Sequence, residues 1–316
     1  MAVVVATHNR ASLVPRLIDA LAAQRGVAAF EIVVVDDGSR DGTWAAIAEA
    51  ARTSAVPVRP IRLDRRSGAA AARNAGWRAT AADHIAFTDD DCVPAPSWLA
   101  TMVAGLGDHD LVQGRTLPDP AQGDRSGPFS RTIEVSAETG YYETCNMAYR
   151  RSALDAVGGF DESFRHPYGE DCDLAWRVKD GGGRSAFLPD AIVHHDIWPS
   201  DFRAHLRDRA RREGVVMMLK KHPNLRDQRG MFNEPTHPSA ILALVAGVLF
   251  LMRPRPARLV PATILGLVYA RTCVYYRHKP ARRSQWLAVV PLSFVSDIYE
   301  IFVLARASAR HRTLVL

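Results

Sequence analysis

Apolar runs near the start of the chain each stop abruptly at a polar cluster, and no other feature narrows the fold as much. "AVVVAT" (Ala2–Thr7) runs into His-Asn, "FEIVVVDDGS" (Phe30–Ser39) ends in Asp-Asp-Gly-Ser, and "HIAFTDDD" (His84–Asp91) ends in three aspartates. Unbroken β-branched runs of this length suit strands buried on both faces. Helix-like stretches lie between them: "SLVPRLIDALAAQ" (Ser12–Gln24) with Ser12 as its N-cap, "DGTWAAIAEAAR" (Asp41–Arg52), and Ala-rich material up to Ala82. "VRPIRL" (Val58–Leu63) supplies a further strand. Strands alternating with helices predict βαβ units and a parallel sheet, whose ligands sit outside the carboxyl ends of the strands. The clusters "THN", "DDGS" and "TDDD" all fall at such ends.

Further on, "SWLATMVAGL" reads as a short helix and "DLVQGRTL" as a strand, followed by the Gly/Pro/Ser-rich "PDPAQGDRSGPFS", read as a mobile loop. "GEDCDLAWRVKDGGG" reads as a helix opened by acids and closed by glycines, and "RSAFLPDAIVHHD" as a late strand ending in two histidines. The net charge of +6 conceals an asymmetry: residues 1–200 carry −7 and residues 201–316 carry +13. Four scattered cysteines without a C-x-x-C pair argue against a disulfide framework or a zinc site. The opening "MAVVVATHNR" lacks the basic and apolar regions of a secretory signal.

Asp89, Asp90 and Asp91 cannot all stay ionised cheaply without a cation nearby. Read as a continuing strand, the triplet places Asp89 and Asp91 on one face and Asp90 on the other. Two convergent carboxylates suit Mg²⁺ or Mn²⁺, and a solvated acidic turn is the alternative. Asp36 and Asp37 can accept hydrogen bonds from a base or ribose, although "DDGS" is also ordinary turn chemistry. "GAAAARNAG" is neither a P-loop nor G-x-G-x-x-G; its alanines suit tight helix packing, leaving Arg73 and Asn74 as ligand contacts.

Taken in order, "AVVVATHNR", "VVVDDGSRDGT", "AARNAG", "FTDDDCVP", "CNMAYRRSALDAVGGFDE" and "GEDCDLAWRV" resemble the family-2 glycosyltransferases of the GT-A fold, over roughly residues 2–195. The resemblance implies an α/β, GT-A-type nucleotide-sugar-binding sheet with flanking helices, followed by a mainly helical C-terminal region. It implies an inverting transfer from a nucleotide-diphosphate sugar to an acceptor hydroxyl, assisted by Mn²⁺ or Mg²⁺. Thr7, Asn9, Asp36, Asp37, Arg73, Asp89 and Asp90 would contact the donor, with Thr7 and Asp37 at the nucleobase end. Asp89 and Asp91 would form the D-x-D metal motif, and His195, which the alternation "A-x-V-x-H" favours over His194, would join them. Asp171 would be the catalytic base, with Glu170, Asn146 and Arg150 on the acceptor side. The acidic start of "GEDCDLAWR" also suits a helix dipole, which is the structural alternative. His8 departs from the family's commoner Tyr before Asn9.

The division expected is a catalytic domain over residues 1–200, a basic amphipathic connection over 201–236 and an apolar helical region over 237–316. Arg203, Arg207 and Arg211 share a helix face, and the apolar segments Ser239–Met252, Arg258–Ala270 and Trp286–Ala305 follow. The first two fall short of a membrane span, and the third is long enough but contains Asp297 and Glu300. The combination favours attachment to an anionic membrane surface at the cytoplasmic face, by peripheral, re-entrant or short hairpin helices, over packing or an oligomer interface. Expected partners are the donor and a glycan, lipid-linked or small-molecule acceptor, with a homo-oligomer left open. Nucleic acid is not expected, because the basic region lacks interleaved aromatics and a recognisable module. A nucleotidyltransferase is the alternative enzyme, but "ATHNRASLV" has no glycine-rich loop with a downstream lysine. A catalytically inert membrane scaffold would show decay at "DDD" or "GED", and both are intact.

Overall fold

The first apolar run forms β1 (Ala2–Thr7), whose side chains alternate between two cores. Val3 and Val5 enter one with Leu17, Ile18, Ile47, Trp98 and Met102, while Ala2 and Val4 enter the other with Trp77, Tyr149 and Leu174. A strand covered on both faces has no polar side, and this is why the run is continuous. The computed structural model describes residues 1–164, 168–225, 234–252, 256–276 and 286–315. The chain divides into two units, the first Met1–Gly123 with Thr132–Ile197, the second Asp124–Arg131 with Trp198–Leu316.

In the first unit, β1, β2 (Glu31–Asp36), β3 (Val58–Arg62) and β4 (His84–Thr88) run parallel to one another. The sheet is completed by β5 (Cys92–Pro94), β6 (Leu111–Pro118), β7 (Asn146–Arg150) and β8 (Ser185–His195), in the order β3-β2-β1-β4-β7-β6-β8-β5. β7 runs antiparallel to both β4 and β6. Helices α1 (Val14–Ala22), α2 (Thr43–Thr53) and α4 (Trp98–Gly105) supply residues to one core; α3 (Ala69–Arg78), α5 (Arg151–Val157) and α6 (Glu170–Asp180) supply the other. The alanines of α3 are for packing: a Cβ on Gly76 would stand 2.4 Å from Val4 Cγ1.

Three local expectations are corrected. Ser12 does not cap α1; the N-cap position is Leu13, and the Leu13 and Val14 N–H groups both reach the Arg10 carbonyl. β4 stops at Thr88, because the Cys92 N–H turns back to the Asp89 carbonyl at 3.2 Å. The aspartates therefore occupy a turn, and strand alternation does not govern where they point. The start of the "mobile" loop is a 3₁₀ turn over Pro120–Arg125, where buried Gln122 donates to Asp196 Oδ1 at 2.6 Å and accepts the Ile197 N–H at 3.1 Å.

The second unit is helical: α7 (Phe202–Arg209), a 3₁₀ turn (Ala210–Arg212), α8 (Glu213–Lys221), α9 (His237–Met252), α10 (Pro256–Tyr276) and α11 (Trp286–His311). The basic "RPRPAR" punctuation lies largely outside the described residues. Among the described residues α11 is the helix long and apolar enough to cross a membrane. Its buried face mixes apolar residues, among them Val289 and Leu304, with the fully buried polar Ser293, Ser296, Asp297 and Glu300. Glu300 pairs with Arg209 and Arg212, and Tyr269 donates to Asp297 at 2.9 Å.

Candidate active site

Parallel strands deliver the ends of β1, β2 and β4 to one edge of the sheet, where the polar clusters meet. Thr7 donates to Asp90 Oδ2 at 2.6 Å, and Arg10 lies 3.8 Å from the other oxygen. Burial and then the charge of Asp91 push the Asp90 carboxyl up to about 7, against the pull of Thr7 and Arg10. The middle aspartate is thus held inside the fold and ties β4 to β1. Asn9, at φ 54°, accepts the Arg40 N–H and donates its own N–H to Ser39 Oγ.

Asp36 and Asp37 both serve the backbone. Asp36 Oδ1 accepts the Ser39 N–H at 2.9 Å, and Arg62 sits 3.5 Å from its other oxygen. Asp37 accepts the N–H groups of Ser67 and Gly68, so its carboxylate caps the entry to α3. Gly38 has no substitute there: its φ is +66°, and a Cβ would approach Arg65 C and Arg66 N to 2.6 Å. Beside this turn, His8, Asn9, Gly38, Arg40, Asp64, Arg65 and Arg66 line a shallow pocket of about 260 Å³.

The three aspartates diverge. Asp89 Oδ1 accepts Arg73 Nη2 at 2.9 Å, while Asp91 Oδ1 lies 3.5 Å from His195 Nε2. Asp91, Cys92 and His195 are close enough for one cation to touch all three, but Asp89 stands outside that group. A carboxylate oxygen with an imidazole nitrogen suits Mn²⁺ or Mg²⁺ chemistry. Burial pushes the Cys92 thiol well up and keeps its proton on, so it is a poor third donor. His195 rather than His194 faces Asp91, as alternation along β8 predicted, and its Nδ1 lies 2.9 Å from the Asp196 carbonyl.

Arg73 joins the two halves of the site. It is buried, with one arm on Asp89 and the other on Glu170 Oε1 at 3.0 Å. Burial opposes its charge, but Asp89 and Glu170 outweigh that and hold it protonated. Gly169, at φ 94°, opens α6 and sets Glu170 and Asp171 on its first turn. Asp171 accepts the N–H of Cys172 at 2.9 Å and of Thr144 at 3.4 Å. Burial raises its carboxyl above the ordinary range, while Arg73 and those N–H groups pull it down; Glu170 is raised by burial and by Asp171. A base must be ionised, and a raised pKa means that form is lost at higher pH than usual. The acid limb of a rate–pH profile is therefore expected above the roughly pH 4 midpoint of a free aspartate. A rate flat down to pH 4 would remove Asp171 from that role.

Two expected acceptor contacts fail. Asn146 is fully buried, accepting from Trp98 Nε1 at 2.8 Å and donating to the Arg115 and Ala191 carbonyls. Arg150 pairs with His84, at the far end of β4 from the aspartates, and donates to the His109 and Gly107 carbonyls. The end of antiparallel β7 that reaches the site is its start, so Glu143 and Thr144 are there instead. Glu143 accepts Gln113 Nε2 at 2.9 Å, and burial with the charge of Asp171 pushes it up to about 7.

The model of Glycosyl transferase family 2 matches residues 2–160, and that of Glycosyl transferase family group 2 matches residues 84–276. The pre-mycofactocin glycosyltransferase of Mycobacterium tuberculosis is 31 % identical over 224 residues, covering 65 % of this chain and 43 % of that protein. The succinoglycan biosynthesis protein ExoO of Rhizobium meliloti is 43 % identical over 215 residues, covering 61 % of this chain and 59 % of that one. In both, less than two thirds of the relative is matched. The mannosyltransferase PcManGT of Pyrobaculum calidifontis, solved with GDP-Man and Mn²⁺, superposes with a TM-score of 0.60 at 21 % identity over 97 % of this chain and 86 % of its own. That last likeness speaks to the fold.

Proposed function

The chain belongs to glycosyl transferase family 2, and from that premise we propose that it moves a sugar from a nucleotide-diphosphate donor to an acceptor hydroxyl with inversion at the anomeric carbon. The observation that carries this reading is Arg73, which joins Asp89 to Glu170 and so brings the aspartate turn and the "GED" helix start into one site. Asp171 takes the proton of the attacking hydroxyl. The new C–O bond forms as the bond from the anomeric carbon to phosphate breaks, and the electron pair leaves on the diphosphate. Asp91 and His195 would hold Mn²⁺ or Mg²⁺, which supplies charge stabilisation to the leaving diphosphate when bound. Thr7, Asn9 and Asp37 shape the nucleotide end by holding its turns. The test is a panel of nucleotide-sugars with Mn²⁺, read as nucleoside diphosphate release; no turnover with any donor would overturn the reading.

The second unit supports membrane attachment. The large hydrophobic side chains exposed among the described residues all lie from Leu242 onward, with Leu287 at 85 % and Leu251 at 78 %. Large apolar side chains are left outward on these helices, an arrangement a bilayer favours and water penalises. The exposed Arg203, Arg207, Arg211, Lys220 and Lys221 suit anionic headgroups. Such an anchor would hold the site at the cytoplasmic face, within reach of a lipid-linked acceptor. The full chain is expected in the membrane fraction after cell lysis and released by detergent but not by high salt. Recovery in the soluble fraction without detergent would sink this reading.

A further inference from the structure

Resting on the transferase reading, we infer that the reacting part of the acceptor is an uncharged polyhydroxyl unit, a neutral sugar, and not a phosphate or other anion. Three carboxyl groups gather on the acceptor side. Glu143 is held by Gln113, Asp171 by the Thr144 and Cys172 N–H groups, and Glu170 by Arg73. A gathering of acids alone identifies no ligand, but three buried polar atoms beside them have no protein partner: Gln113 Oε1, Thr144 Oγ1 and Glu170 Oε2. Their residues are 1 %, 2 % and 3 % exposed. The Gln113 amide is fixed through its Nε2 on Glu143, and the Thr144 N–H is fixed on Asp171, so both residues with an unpaired oxygen touch this group of acids.

The chemistry of this group selects its occupant. Unpaired acceptor oxygens and a threonine hydroxyl call for a ligand that both donates and accepts, as sugar hydroxyls do. A carboxyl group raised toward neutrality, as Glu143 is, offers an O–H as well as lone pairs and extends the same match. An anion meets the opposite. The charge acting on Glu143 is that of Asp171. Arg73, the cation beside Glu170, already has both arms engaged. A phosphate dianion, which only accepts hydrogen bonds, would add charge of the same sign as Asp171 and leave the unpaired oxygens of Gln113 and Glu170 without a donor. If the acceptor is lipid-linked, the attacking hydroxyl belongs to a sugar it carries, not to the carrier's phosphate.

The full chain in detergent, with Mn²⁺ and a donor it hydrolyses, is offered neutral glycosides, a sugar phosphate and a polyprenyl phosphate, and products are read by mass spectrometry. A neutral glycoside is expected to exceed both phosphates in kcat/KM by at least tenfold. Glu143→Ala is expected to raise the KM for that glycoside about tenfold while the donor KM moves less than twofold, with Glu143→Asp recovering part of the loss. Thermal melting establishes that the variants are folded. Equal or better use of either phosphate overturns the inference, as does diphosphate release with no neutral acceptor glycosylated. So does an unchanged acceptor KM in folded Glu143→Ala. Failure to bind or hydrolyse any nucleotide-sugar would instead overturn the transferase reading beneath it.

Discussion

Asp171→Asn is expected to lower sugar transfer about 10³-fold while nucleotide-sugar affinity stays within a few-fold. The amide is isosteric and retains one oxygen to accept the Cys172 N–H, so the start of α6 is kept, while the longer Thr144 N–H contact is given up. What it loses is a site for the hydroxyl proton, and without one the attacking oxygen must carry positive charge into the transition state. Arg73 remains anchored by Asp89 and Glu170, so the donor side is undisturbed. Glu170→Gln makes the contrast. It weakens the hold on a buried guanidinium, and the expected cost falls on stability as well as rate, by about 3–5 kcal/mol if the charge goes uncompensated. The measurements are product formation under saturating donor, donor affinity by calorimetry, and melting temperature. Transfer within tenfold of the unmodified protein would leave Asp171 as a helix-start acid and nothing more.

The second large effect is expected at the residues proposed to hold the metal. Asp91→Ala should abolish the stimulation of turnover by Mn²⁺, a loss of about 10²–10³-fold, and His195→Ala should weaken the apparent Mn²⁺ affinity with a smaller loss at saturation. Chelation should reproduce the Asp91→Ala rate in the unmodified protein and leave the variant unaffected. Asp90 provides the control. Its carboxyl is engaged with Thr7 and Arg10, so Asp90→Ala should show in stability before it shows in the Mn²⁺ titration. Full turnover in the presence of a chelator would remove the metal assignment.

The parallel half of the site was legible in the sequence, and the antiparallel half was not. Apolar runs ending in polar clusters locate β1, β2 and β4, because parallel strands present their carboxyl ends on one edge. The same habit applied to β7 points to Arg150, at the wrong end of a strand that runs the other way. The residues at that end, Glu143 and Thr144, precede the strand, and only the pairing of Thr88 with Asn146 shows it. The divergence of the triplet was equally hidden. Three adjacent aspartates look alike in sequence, and their separation into partners of Arg73, Thr7 and His195 depends on a single turn closed by the Cys92 N–H. Asn146 shows a third limit: side chains that bridge buried backbone and those that bind ligands share one chemistry, and burial separates them.

Glu300 bears on how the second unit comes to be made. It lies 91 residues beyond Arg209 and 88 beyond Arg212, roughly 5–20 s of ribosomal synthesis. Both arginines therefore exist before the acid they pair with has left the ribosome. If the outer face of α11 meets lipid, its carboxylate need never enter hydrocarbon alone, because a counter-charge is already in place when the helix arrives. Arg209 and Arg212 would then act in biogenesis as receivers for α11, and their loss should show as poor insertion and rapid turnover of the newly made chain.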